Sequence, residues 1–142
     1  NIFREDNSLY LIDPLGSTMD IRMNGSMEQF TSPVFDVGKL LQSLLSKYEE
    51  WAYLDNVAID LFIRNFSVEE DKIEISNDLK LVDNLFNFYR EYISENIIFD
   101  SLFSLAQILI RVAPYRIRAG YNHSALLCLL KSYAIIEYLE ES

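Results

Sequence analysis

The chain has 142 residues, half of them hydrophobic and 13% aromatic, which excludes a disordered tail and is enough for one domain that buries roughly 70% of its unfolded surface. A formal charge of −10 argues against a nucleic-acid partner, which demands a clustered basic surface. One cysteine, Cys128, excludes an internal disulfide framework and a cysteine-based zinc site, and it fits a reducing, cytoplasmic setting. No continuous apolar run reaches the ~18 residues of a membrane span, and no signal-peptide pattern opens the chain, so no membrane partner is expected.

Residues 1–12 read as a short hairpin. Ile2 and Phe3 form one arm, Leu9 to Ile12 the other, and Glu5-Asp6-Asn7-Ser8 supply turn chemistry. Residues 14–32 carry Gly16, Gly25 and the methionines 19, 23 and 27 with no clean period, which is a loop pattern. Ser32-Pro33 then reads as an N-cap and a first-turn proline. Behind it Val34, Val37, Leu40, Leu41, Leu44, Leu45 and Tyr48 recur at helical steps.

Residues 57–63 and 72–76 alternate well enough to predict a second hairpin, with a helix over 57–66 as the rival. Three helices follow. One is capped by Asn77 or Asp78 and runs to about Ser94, with Leu81, Val82, Leu85, Phe86, Tyr89, Tyr92 and Ile93 inward. The next spans Ile98 to Val112 and stops ahead of Pro114. The last starts near Asn122 with Leu126, Leu127, Leu130, Tyr133, Ala134 and Ile136 inward. It closes on Glu137, Glu140 and Glu141, acids that the helix dipole disfavours there, so its end is expected to fray.

The chemistry-bearing pattern lies near the start. Asp13 follows the apolar run Leu11-Ile12 and enters a turn closed by Pro14 and Gly16, an arrangement that holds a carboxylate rigidly. Asn1 stands one short hairpin upstream, so the two could share one Mg²⁺ ion. Downstream lies Phe35-Asp36-Val37-Gly38-Lys39-Leu40, continued by Gln42-Ser43-Leu44 and Tyr48-Glu49.

Together these segments resemble the aminoglycoside phosphotransferase and choline kinase family, a branch of the protein-kinase-like fold, and in flavour its members from bacterial surface-polysaccharide synthesis. Ala113-Pro114-Tyr115-Arg116-Ile117-Arg118 is a weaker echo of the same relatives. The likeness is specific over residues 1–50 and general beyond them. It implies an α+β, mostly helical domain: the later part of a kinase-like C-terminal lobe with one or two short β-hairpins. Residues 1–31 would be a metal-binding hairpin and loop, and residues 32–142 a helical region.

The resemblance also implies that the chain is a fragment of a larger phosphotransferase. That enzyme would transfer the γ-phosphoryl group of ATP or GTP to a hydroxyl of a sugar, amino alcohol or aminoglycoside. Asn1 and Asp13 match its Mg²⁺ ligands, and Asp36 matches the residue that braces the catalytic loop. The catalytic base, the nucleotide-gripping lysine and the glycine-rich lobe have no counterpart in these 142 residues. They would belong to the rest of the parent kinase, and this chain alone would be inactive; a homo-oligomer is compatible with the same reading. The Met-rich stretch after Gly16 departs from the family's Gly-Asp-containing loop, which leaves the substrate open. The competing reading is a non-catalytic helical interaction module or a degenerate kinase relative.

The remaining candidates have plainer explanations. His123, the only histidine, lacks His or Cys neighbours and reads as a surface or capping residue. Arg111, Arg116 and Arg118 could receive a phosphate, but pairing with this acidic chain's carboxylates is the simpler expectation. Tyr48, Trp51 and Tyr53 could stack on a sugar or base, with core packing as the default.

Overall fold

The structure is a computed structural model. It describes residues 33–92 and 96–142, with backbone alone at 33, 35, 36, 85, 88, 89 and 92. These residues are 83% helical. The helices are α1 (Pro33–Leu44), α2 (Tyr48–Trp51), α3 (Asn56–Arg64), α4 (Val68–Leu81), α5 (Asp83–Tyr92), α6 (Ile97–Arg118) and α7 (Asn122–Glu140). The hairpin expected over 1–12 and the loop over 14–32 lie outside the described residues.

Helix α1 starts at Pro33, whose fixed φ suits a first turn and whose missing N–H costs nothing there. Val37, Leu41 and Leu45 form its buried stripe, while Leu44 of the expected set faces out. Gly38 sits on the same side, against α6. A Cβ at this position would stand 2.6 Å from Ser104 Oγ and 3.3 Å from the Leu105 backbone N, so only glycine lets the two backbones approach this closely. After Leu44 the chain reverses through Lys47, which takes the left-handed conformation at φ 51°. That turn seats Trp51 in the core, where its indole N–H donates to the Ser46 carbonyl at 2.9 Å. Burying such a side chain stabilises the fold by about 2–3 kcal/mol.

The second hairpin expected over 57–76 is not formed; α3 and α4 occupy the segment, and the rival helical reading of 57–66 describes α3. The local reason is capping. The Asp55 carboxylate accepts from the Ala58 N–H at 2.9 Å, and the Ser67 hydroxyl from the Glu70 N–H at 3.4 Å. Glu69, Glu70 and Asp71 then fall in the first turn of α4, where the dipole favours acids. The tertiary reason is that Ile59, Ile75 and Leu79 all reach the core at helical spacing. The alternation over 72–76 leaves Ile73 exposed, so it never marked a sheet face.

Three further boundaries differ from expectation. Asn77 and Asp78 cap nothing; α4 runs through them, and α5 begins afresh at Asp83. Leu81, expected inward, is 82% exposed at this break, whereas Phe86 is fully buried. Leu85, Tyr89, Tyr92 and Ile93 are not described at side-chain level. Helix α6 passes through Pro114 to Arg118. Proline removes the N–H that would reach the Ile110 carbonyl, but Ile110 and Pro114 lie on the outer side, where water can take that acceptor. The end of α7 is tied down rather than frayed. Glu141 pairs with Lys72 at 2.7 Å, and the Ser142 hydroxyl donates to the Tyr138 carbonyl.

Helix α7 is the hub. It packs on α6, α4 and α3, and α1 covers another side of α6. Being enclosed, α7 buries Ala125, Leu127, Cys128, Ala134, Ile135 and Leu139, which do not share one stripe. By length and composition α6 is apolar enough to cross a membrane. Its Leu102, Leu105, Ala106 and Leu109 are buried in the protein core.

Candidate functional site

Asn1 and Asp13 lie outside the described residues. Asp36 falls in the first turn of α1 by its backbone, and its side chain is not described. Lys39, three residues on, hydrogen-bonds the buried Gln42 Oε1. Among the described residues no cluster of three or more His, Cys, Asp or Glu side chains could hold a metal ion.

Chemically dense groups gather instead at two places. The first is the corner where α6 turns into α7. Gly120 supplies the positive φ of 87° that this corner needs, and the Tyr121 N–H returns to the Arg116 carbonyl at 2.8 Å. The bend brings Tyr121 over the Arg116 guanidinium, 5.4 Å from its ring centre. Tyr53, on the link between α2 and α3, stacks at 4.2 Å, and the Tyr48 ring lies at 5.4 Å. Arg116 Nε–H donates to the Tyr48 hydroxyl at 2.6 Å. Burial opposes the charge on Arg116, but the Tyr48 hydroxyl and then the Tyr53 hydroxyl act against it, and together they raise its pKa. Burial pushes the Tyr48 phenol up.

The expectation that Arg116 pairs with a carboxylate fails among the described residues: its partners are tyrosines. Of the three aromatic candidates, Tyr48 and Trp51 are core, as their spacing suggests, while Tyr53 is 67% exposed and acts as the outer wall of the cage. Behind the corner lies Cys128, whose thiol burial pushes up to about 11, so it is an inert core group. His123 joins the starts of α7 and α3 by donating from Nδ1 to the Asn56 carbonyl at 2.9 Å.

The second place is a pocket of about 300 Å³ between α3, α4 and α7, within the size range of small-ligand sites. Leu61, Phe62, Phe66 and Leu127 make its apolar lining, and Asp71, Glu74 and Lys131 bring charge to it. The Asp71 carboxylate and Lys131 ammonium meet at 2.8 Å, both nearly buried. Glu74 is engaged with Lys47. Below it, Asp78 Oδ2 is buried with no hydrogen-bond partner, and burial raises that carboxyl's pKa. At the far end of α4, Lys72 binds both Glu141 and Glu69 at 2.7 Å, which pushes it up to about 12.

Sequence reasoning passed over the Asp71–Lys131 pair and the tyrosine cage, because their members are far apart in the chain. The glycine that ends α6 was the one local signal for the corner. No family model, curated protein or solved structure matches the chain.

Proposed function

We propose that the chain is the later part of a small-molecule phosphotransferase of the kinase-like type, working in the cytoplasm on a hydroxyl acceptor with ATP or GTP. The observation that carries this reading is the joint spacing of Asn1, Ile12-Asp13-Pro14 and Phe35-Asp36-Val37-Gly38-Lys39-Leu40. The start of α1 at Pro33 supports it: the third segment is helical, and its Gly38 is seated tightly on α6. In this reading the Asn1 amide oxygen and the Asp13 carboxylate would hold Mg²⁺, whose charge would offset that building on the phosphoryl oxygens. Asp36 braces the catalytic loop contributed by the rest of the parent kinase. The helices from α5 onward form the wall on the acceptor side.

The test is turnover by the full-length protein with Mg²⁺-ATP or Mg²⁺-GTP and a panel of sugars, choline and aminoglycosides. Asp13→Asn keeps the shape of the turn and removes the charge aimed at the metal. It is expected to lower kcat by about 10²-fold or more without loss of fold. A well-folded variant with normal kcat returns Asp13 to an ordinary turn residue.

A second reading, a non-catalytic helical interaction module, draws support from Val57, Leu61 and Phe62, large apolar side chains that α3 leaves exposed. Absence of turnover with every acceptor, together with no His-x-Asp segment encoded ahead of Asn1, would favour it.

A further inference from the structure

We propose that the α6–α7 corner is a binding site for a phosphate-class anion, with Arg116 as the charge that receives it. The proposal does not depend on the phosphotransferase reading, since it uses none of Asn1, Asp13 or Asp36.

The starting point is a buried charge with no counter-charge among the described residues. The chain has 22 acidic and 12 basic side chains, so cations have carboxylates to choose from. The other buried or half-buried cations take them: Lys72 holds Glu69 and Glu141, Lys131 holds Asp71, and Lys47 holds Glu74. Arg116 is only 8% exposed, yet no carboxylate of the described residues lies within ion-pair distance of it. Among the described residues its surroundings are the rings of Tyr48, Tyr53 and Tyr121 and the hydroxyls of Tyr48 and Tyr53. These are neutral, and burial keeps the Tyr48 phenol protonated. The C-terminus of α6 offers roughly half a negative charge, less than one counter-ion.

Guanidinium has five N–H donors. The Tyr48 hydroxyl takes the one on Nε and the Tyr53 hydroxyl engages the group as well, which leaves Nη–H donors of the planar fork for phosphate oxygens.

A second group of unused donors adjoins the first. Tyr121, whose ring covers Arg116, is also the residue from which α7 starts, and no side chain caps that start. The first-turn amides of Asn122, His123 and Ser124 have no intrahelical acceptor, which is the standard condition for anion binding at a helix start. On the same turn the Ser124 hydroxyl is 1% exposed and has no hydrogen-bond partner. A buried hydroxyl left unpaired costs stability, and an anion at this turn would relieve it. Phosphate has enough acceptor oxygens to serve the guanidinium and further donors at the same corner. The solvent side of the site is Tyr53, the exposed wall carried on the non-helical link between α2 and α3.

The ligand is either free phosphate or the phosphate of a larger phosphomonoester, and the test separates the two. Trp51 is the only tryptophan, and its ring meets the Tyr48 ring edge-on at 5.1 Å, one contact from Arg116. Inorganic phosphate and glycerol 3-phosphate are titrated into the full-length protein at constant ionic strength, with chloride as control. Trp51 fluorescence and the thermal midpoint are read together. A saturable, phosphate-specific change is expected, with the midpoint rising as the site fills. Tighter binding of glycerol 3-phosphate assigns the site to a phosphomonoester; equal or weaker binding assigns it to free phosphate. Arg116→Met is expected to weaken binding at least about 10-fold, the loss of one charge-assisted pair. Arg116→Lys keeps the charge without the fork and Ser124→Ala leaves the cage intact, so these two carry the test if the methionine variant does not fold. Both should bind more weakly than the parent. A response that chloride reproduces, or unchanged binding in both conservative variants, overturns the proposal.

Discussion

Tyr48 and Arg116 stand 68 residues apart in the chain and meet through a 2.6 Å hydrogen bond inside the protein. The bond fastens the short α2 to the last turn of α6, and a single side chain from each helix makes it. Tyr48→Phe removes the acceptor and leaves a buried guanidinium N–H unpaired. A loss of about 1–3 kcal/mol is expected from urea unfolding, and the Trp51 emission should shift because its ring partner has moved. A variant as stable as the parent would show that water reaches the guanidinium freely.

Gly38 is the tightest contact between α1 and α6. Gly38→Ala places a methyl group 2.6 Å from Ser104 Oγ and 2.9 Å from its Cβ. Helix propensity favours alanine by up to about 1 kcal/mol, but overpacking costs about 1–3 kcal/mol, so net destabilisation is expected. Ser104→Ala should restore part of the loss in the double variant. Alone it should be nearly neutral, because the Ser104 hydroxyl is buried without a partner. Additive behaviour in a double-mutant cycle would contradict direct contact.

Asp78 makes folding pH-dependent in a defined direction. Burial raises its folded pKa above the ordinary 3.8, so just above that value the folded state holds a proton that the unfolded state has lost. This group's contribution is therefore most favourable in acid and falls as pH rises through its folded pKa. Asp78→Asn, which stays neutral, should flatten that part of the stability profile and raise the thermal midpoint at pH 7. Thermal melts at several pH values from 3 to 7 read both effects. An unchanged profile would place the oxygen in contact with water.

Pro114 interrupts the hydrogen-bond ladder of α6 on its outer face. Pro114→Ala returns an N–H to the Ile110 carbonyl and relieves the ring's clash with the preceding turn. Proline in a helix interior costs about 3 kcal/mol, and its loss of unfolded-state freedom returns only about 0.4–1 kcal/mol. Net stabilisation in chemical unfolding is the expected result. Destabilisation would mean that a bend at this residue is needed to deliver Arg116 to its cage.

The amino-acid sequence by itself determined the mostly helical class, the helix from Pro33, the helix near Asn122, and a core built on Val37, Leu41, Trp51 and Phe86. Local forces suffice for these: a first-turn proline, apolar spacing of three and four, and the bulk of aromatic side chains. The kinase-like motif around Asp13 and Asp36 is likewise a property of the sequence. Its residues lie outside the described side chains, so the functional reading rests on that motif.

Tertiary structure decided the rest, because the deciding contacts join distant segments. Ile75 and Leu79 reach a core that only a helical α4 can meet, so the alternation over 72–76 had no sheet to serve. Leu126 and Tyr133, apolar and at helical spacing, face outward, because α7 is enclosed by α3, α4 and α6 and uses the smaller Ala125, Cys128 and Ala134 at its close contacts. Nothing near Arg116 in the chain announces that three tyrosines, rather than a carboxylate, will surround it. That arrangement exists because Gly120 turns the chain and α2 packs beside α6; the resulting burial makes a charge with no carboxylate partner among the described residues chemically significant.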